Sequence, residues 1–386
     1  MSKTLSSNQN TLTLHIRITK KCNADCSYCS SFERNAKDLM DLKEVEKSFI
    51  FIKDSILKYN LGGMRDYITV QYIGGELLTV PINYLRSYCE IVEKNLGPLF
   101  KNYRHGCQTN LLGSQQRIDD LLDLFDGNLG TSLDTFTNQR TIAKSPEKYK
   151  TFFLKNLSYT KKHTGKNLSS IVVIDKKMAP HIYDQVLYAE EKKMHITLRP
   201  VFNGGMPIES LENDSLLSMY ENLFSNWFMK SPICVEPFFS LTEKRLLKYI
   251  KNEFLLQSIS GCPFQHNCAT SSLNMEPDGT LYVCLDMADS KHFPIGNALQ
   301  EFINEETMNL LKSRSDKLSN DCLTCDYFAE CQGGCMNEAI EQKNDVFGKT
   351  NYCSIWKSTF KLIDENINLY GAHNVQKWLN HIKSTF

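Results

Sequence analysis

The residues best equipped for chemistry are cysteines: the chain holds 14 among its 386 residues, and most fall into two spaced groups. The first is Cys22-Asn23-Ala24-Asp25-Cys26-Ser27-Tyr28-Cys29, three thiols with no fourth cysteine near them. Three soft thiolates on one loop suit an iron–sulfur cluster, and a [4Fe–4S] cube with three protein ligands leaves one iron open to a small molecule. Spacing alone also allows a zinc ion completed by His15 or His105, or unreactive buried cysteines. The second group comprises Cys262, Cys268, Cys284, Cys322, Cys325, Cys331, Cys335 and Cys353. Eight thiolates are the count that closes two [4Fe–4S] clusters completely, and closed clusters favour electron transfer over ligand binding. A zinc ribbon is the alternative for any single Cys-x2-Cys pair. Cys89, in an apolar helical stripe, is expected to be core packing, and the spacing of Cys107 and Cys234 argues for no ligand role.

Composition narrows the setting. Lys+Arg and Asp+Glu both total 44, so net charge points to neither nucleic acid nor an anionic membrane as partner. A chain with 41% apolar and 23% charged residues is globular, and its length suits two or three compact units. Residues 1–10 lack the apolar core of a signal peptide, and no stretch approaches a membrane span, so a cytoplasmic location is expected. In a reducing compartment so many cysteines read as metal-binding or catalytic rather than as a disulfide framework.

The elements that must position these groups alternate along the chain. Strand patterns fall at 12–19, 67–73, 103–109, 129–133, 170–174 and 196–201, separated by helical patterns near 41–59, 82–96, 115–125, 146–163 and 180–193. Six βα units predict a parallel sheet, closed as an open doubly wound sheet or a partial (β/α)6 TIM-like barrel, with chemistry at the carboxyl ends of the strands. Expected units are residues 1–205 for the barrel, 206–260 for a bridging helical region and 261–386 for a loop-rich, ligand-dependent domain. Within the last, Pro277-Asp278-Gly279-Thr280 reads as the turn of a hairpin that presents Cys284.

The Cys-x3-Cys-x-aromatic-Cys loop after the first strand, followed by Gly74-Gly75-Glu76 after the second, resembles the radical S-adenosylmethionine (SAM) superfamily. The C-terminal cysteine series is similar to the SPASM extension of its peptide-modifying members. The resemblance implies the partial barrel and a [4Fe–4S] cluster on Cys22, Cys26 and Cys29 whose open iron takes SAM. It places Tyr28 near the adenine and Glu76 at the SAM ammonium, with Gly74 and Gly75 admitting the methionine moiety and Ser132 at the ribose. Gln108 and Asp134 would line the cavity; a strand-end cap or turn is the plain alternative for each of these three polar residues. Leu77 stands where the family has proline. By the same resemblance one auxiliary cluster takes Cys262, Cys268, Cys284 and Cys335, and the other takes Cys322, Cys325, Cys331 and Cys353.

The three-cluster architecture implies an oxidoreductase that makes a 5′-deoxyadenosyl radical, abstracts a side-chain hydrogen and removes electrons. Asp286 is the candidate base. The expected substrate is a ribosomally made precursor peptide, given an oxidative carbon–carbon (cyclophane-type) or thioether cross-link, with flavodoxin or ferredoxin as electron donor. The alternative within the family is anaerobic sulfatase maturation to formylglycine. Against it, that group's catalytic Asp directly follows the ligand equivalent to Cys284, where Leu285 stands here. Because the first cluster cysteine is already Cys22, a leader peptide would have to be held without an 80-residue recognition domain ahead of the barrel. A non-catalytic iron–sulfur or zinc protein is the alternative from another class.

Overall fold

A computed structural model describes residues 11–31, 33, 36, 39–59, 65–201, 209–250 and 267–385; Cys262 lies outside the described residues. The strands are β1 (Thr11–Thr19), β2 (Asp25–Cys26), β3 (Tyr67–Gly74), β4 (Asn102–Gln108), β5 (Leu129–Ser132), β6 (Arg140–Thr141), β7 (Ser169–Ile174), β8 (Ile196–Pro200), β9 (Val235–Glu236), β10 (Ser272–Met275), β11 (Thr280–Tyr282), β12 (Gly296–Asn297) and β13 (Phe302–Ile303). All but β2 and β6 form one sheet in the order β13-β12-β11-β10-β1-β3-β4-β5-β7-β8-β9. Pairing is parallel from β10 through β9 and antiparallel from β10 to β13.

The expected six strands are therefore present and neighbour one another in chain order, as in a partial TIM-like barrel. Two further parallel strands flank them: β9 beyond β8, and β10 beside β1. The two-residue β9, too short to carry a period, and the parallel pairing of the hairpin strand β10 with β1 were not expected. Through β10 the cysteine-rich C-terminal part joins the same sheet as the first strand.

Between the strands run α1 (Leu42–Tyr59), α2 (Ile82–Leu96), α3 (Gln115–Leu124), α4 (Pro146–Thr164) and α5 (Ile182–Lys192). Their apolar stripes face the sheet: Val45, Phe49, Ile52 and Ile56 of α1 follow the three-and-four spacing and are all buried. The strands alternate in turn. Leu12, Leu14 and Ile16 are buried beneath the helices, whereas His15 shares its cross-strand row with Gln71 and Asn274. Parallel strands covered on both faces usually read as continuous apolar runs. The alternation here marks an inner face that is polar, carrying His15, Arg17 and Arg199.

After the barrel come α6 (Asn213–Trp227), α7 (Phe238–Ile250), α8 (Leu285–Ser290), α9 (Glu305–Lys312), α10 (Asn320–Leu323), α11 (Phe328–Cys331), α12 (Met336–Lys343), α13 (Cys353–Tyr370) and α14 (Ala372–Lys383). Tyr220, Phe224 and Trp227 of α6 meet Phe238, Trp356 and Trp378 in one aromatic cluster. Arg245 on α7 binds Glu330 at 2.7 Å and Asp364 at 2.6 Å, so the helices after the barrel are fastened to the C-terminal ones. Gly279, at φ +81°, turns the chain between antiparallel β10 and β11, and Cys284 follows two residues after β11. The expected hairpin is thus observed.

Candidate active site

The carboxyl ends of the parallel strands converge on a cavity of about 240 Å³. Cys22, Cys26 and Cys29 line it from the loop after β1, Gly74–Glu76 from β3, Gln108–Asn110 from β4, Ser132 from β5, Ile171 and Val173 from β7, and Arg199 from β8. Leu285, Asp286 and Asp289 close it from α8. Tyr28 also lines it. The structure therefore brings the first cysteine group together with seven of the other sequence-predicted site residues, Asp286 included.

The cysteine loop is held by backbone from two directions. On one side, Gly75 N donates to Thr19 O at 2.7 Å and Glu76 N donates to Lys21 O at 2.9 Å. A Cβ at Gly75 would lie 2.3 Å from Lys21 O, so only glycine lets the end of β3 pass beneath the loop. What the glycine pair admits here is the chain's own backbone. On the other side, β2 pairs with β6 and sets Cys26 opposite Arg140. Ser27 adds a backbone hydrogen bond to Gln139 O and a side-chain one to Gln139 Oε1, both 2.9 Å.

Glu76 is 1% exposed. Its Oε1 accepts from Leu78 N (2.9 Å) and Thr109 Oγ1 (2.7 Å), and its Oε2 accepts from Asn110 N (2.6 Å). Burial pushes its carboxyl above the usual range, and these hydrogen bonds oppose the shift. Leu78 N caps the turn that follows β3, Thr109 and Asn110 tie that turn to the segment after β4, and a further backbone bond comes from Leu77.

Gln108 Nε2 reaches Ser132 Oγ at 3.4 Å, and a Cβ at Gly130 would sit 2.3 Å from Gln108 Oε1. Gly130 thus lets the amide lie across the cavity floor. Asp134 differs from expectation. It is buried but does not line the cavity, since its Oδ1 accepts from Thr137 N (3.1 Å) and its Oδ2 from Thr137 Oγ1 (2.6 Å). A short Asp closes locally on the backbone three residues on, the turn-forming role that competes with ligand binding.

Several cavity groups escaped the sequence reading. Arg140 is buried, donates to the Tyr28 and Tyr149 hydroxyls and lies 5.5 Å from the Tyr28 ring centroid. Its proximity to the cysteines depends on the β2–β6 register, 114 residues apart in the chain, for which no local motif exists. Arg199 forms an ion pair with Asp286. Its inward direction was readable from the period of β8, since it alternates with buried Leu198. Glu338 on α12 interacts with both members of that pair; burial pushes its carboxyl up to about 7, and Thr350 Oγ1 donates to it. Deep beneath the loop, Arg17 binds Glu276 at 3.0 Å and Asp289 at 2.6 Å, while Asp289 accepts from Ser30 Oγ at 2.7 Å. The segment after Cys29 is therefore gripped by the C-terminal part.

The second cysteine group divides. Cys322, Cys325, Cys331 and Cys353 line one small cavity of about 20 Å³ together with Tyr327, Phe328, Trp356 and Phe360. Cys268 and Cys335 lie by Arg314; burial raises the Cys268 thiol, and Asp286, two residues beyond Cys284, adds to the shift. Burial pushes Cys22 and Cys331 up to about 12 and Cys26 and Cys268 to about 11. These are protonated thiols that must lose protons on binding metal. Among the described residues no three His, Cys, Asp or Glu side chains close on a single-ion site. The cysteines instead surround hollows, and soft thiols spread around a hollow fit an iron–sulfur cluster. Of the alternative ligands, His105 packs among Tyr72, Tyr103 and Phe125, and His15 lies in the lumen beside Arg17 and Arg199. Cys89, Cys107 and Cys234 are buried in the apolar core.

No family model matches the chain. The cysteine-type anaerobic sulfatase-maturating enzyme of Clostridium perfringens is 22% identical over 370 residues, covering 88% of this chain and 92% of the relative. The radical SAM cyclopropyl synthase TigE of Paramaledivibacter caminithermalis is 21% identical over 376 residues, covering 92% and 75%. The chain is a homologue of radical SAM maturases. Solved structures show the shared fold. Native anSMEcpe with bound AdoMet has a TM-score of 0.72 at 18% identity, covering 94% of this chain and 100% of that one. Streptococcus suis SuiB bound to S-adenosylmethionine has a TM-score of 0.59 at 17% identity, covering 89% and 77%. Among the described residues no helix is long and apolar enough to cross a membrane.

Proposed function

We propose that this enzyme matures a ribosomally made precursor peptide, removing a side-chain hydrogen and an electron to form a carbon–carbon or thioether cross-link. The observation that carries this reading is the shared cavity: three loop thiols, the polar strand ends and α8 of the cysteine-rich part all face one space. When bound, a [4Fe–4S] cluster on Cys22, Cys26 and Cys29 together with SAM supplies a primary carbon radical. The protein's share is placement and exclusion of side reactions. Glu76 would face the SAM ammonium, Gln108 and Ser132 would offer polar contacts to the ribose, and Tyr28, held by Arg140, would offer a ring to the adenine. Asp286 is positioned to accept the substrate proton, with Arg199 holding its carboxylate in place. Cys268, Cys284 and Cys335 with Cys262, and the Cys322, Cys325, Cys331 and Cys353 set, serve two closed clusters as the electron exit. A reduced flavodoxin or ferredoxin is the fitting donor.

Sulfatase maturation is the second reading, supported by the match to 92% of the length of the Clostridium perfringens relative. Leu285, a cavity residue directly after Cys284, weighs toward cross-linking, since formylglycine formation in that group uses an aspartate there. Anaerobic co-expression with a candidate precursor peptide, followed by mass measurement and fragmentation, separates the two. Loss of two hydrogens with fragments linked across residues is the expected result. Conversion of a single Cys or Ser of a sulfatase peptide to an aldehyde, with precursor peptides untouched, would overturn it.

A further inference from the structure

Between the two sets of C-terminal cysteines lies a buried cation. Arg314, in the turn after α9, is 3% exposed. Its Nη1 donates to the carbonyl oxygens of Val346 and Gly348, the latter at 2.9 Å. Its Nη2 donates to those of Gly333 at 3.3 Å and Gly334 at 3.5 Å. Every hydrogen bond of this guanidinium among the described residues goes to a carbonyl oxygen.

Gly333 and Gly334 stand between Cys331 and Cys335. The guanidinium is thus fastened to the short loop that joins a thiol of one expected cluster to a thiol of the other. Both glycines hold positive φ, +80° and +71°, and a Cβ at Gly333 would meet Leu318 Cδ2 at 2.7 Å and Arg314 Nη2 at 3.3 Å. The close approach therefore depends on glycine. Burial works against the charge on Arg314, and Cys268, Cys335 and Cys322, from both sets, are the groups that favour it, ahead of Asp345. An arginine keeps its proton in proteins, and a buried charge is costly unless something compensates it. Carbonyl dipoles do part of this. Two thiolate-ligated clusters of net negative charge would do the rest, and a fixed positive charge beside a cluster is one of the levers that set its potential.

Resting on the reading of two closed clusters, we propose that Arg314 is the positioning charge shared by both, raising the midpoint potential of each so that each accepts an electron more readily. The test is an EPR-monitored redox titration of the anaerobically reconstituted full chain, with iron content measured alongside, for wild type, Arg314→Gln and Arg314→Lys. In Arg314→Gln both auxiliary signals should move to lower potential, with the reduced-to-oxidised ratio at a fixed potential falling about tenfold, equivalent to about 59 mV for one electron. The signal of the Cys22, Cys26 and Cys29 cluster should stay in place, and Arg314→Lys should titrate like wild type. Unchanged auxiliary potentials in Arg314→Gln would overturn the proposal, as would loss of cluster iron in both variants, which would make the guanidinium a folding clamp. Iron loss in the Gln variant alone, with the Lys variant loaded, supports the charge role. Wild-type protein with only about four irons refutes the closed-cluster reading itself.

Discussion

The two described cysteine groups that gather around hollows differ in ways that follow from their surroundings. Cys22, Cys26 and Cys29 open on a cavity of about 240 Å³ lined by glutamate, glutamine, asparagine, serine and arginine. Cys322, Cys325, Cys331 and Cys353 enclose about 20 Å³ walled by Tyr327, Phe328, Trp356 and Phe360. Three thiols with polar space beside them suit a group that must also hold a small molecule. Four thiols with no such space suit a group that only exchanges electrons. One chain builds both because strand ends present polar groups to a shared mouth, whereas α13 and the short α11 with its preceding turn pack their aromatics around the thiols.

Breaking each group separately should give the largest effects. Cys22→Ala should abolish formation of 5′-deoxyadenosine from SAM and remove about four of roughly 12 irons per chain. Cys325→Ala should remove a similar share of iron, leave some SAM cleavage and stop product formation. Equal loss of cleavage in both folded variants would erase the functional difference between the groups. Gly75→Ala comes next. Its Cβ would meet the backbone of Lys20 and Lys21, so the cysteine loop must move, at an overpacking cost of about 1–3 kcal/mol. SAM cleavage should fall sharply while iron on the closed clusters is retained.

Asp286→Asn should cut product formation by about 10²–10⁴ while 5′-deoxyadenosine still forms, whereas Asp134→Asn, a residue outside the cavity, should leave both near wild type. The smallest effect concerns the lumen beneath the open site. Burial, with Arg199 and Arg17 nearby, lowers the His15 pKa from 6.5 to about 4. A histidine whose folded pKa is depressed favours the neutral form, so its stabilisation is complete above pH 6.5 and is lost as pH falls toward 4. The free energy of unfolding, measured by denaturant titration across that window, should therefore fall in wild type by up to about 3 kcal/mol more than in His15→Gln.

How much of this was legible depended on the range of the information. The six barrel strands and their helices carry their periods locally, and the cysteine loop and Gly74-Gly75-Glu76 announce themselves by spacing. Gly75 was legible as a required glycine, but what it spares is the Lys20–Lys21 backbone, visible only once β1 and β3 are paired. Arg140, Arg17 and Asp289 act across 112 to 272 residues of chain and leave no local pattern. Arg199 was within reach, because inward-facing positions of a strand recur at every second residue. Asp134 was misjudged because a strand-end aspartate satisfies a turn as readily as a ligand.

The most direct test of the account is whether anaerobically reconstituted protein, given dithionite and SAM, releases 5′-deoxyadenosine. The open site predicts release that depends on Cys22, Cys26 and Cys29. No 5′-deoxyadenosine from fully iron-loaded protein would contradict the assignment of that cavity to radical chemistry.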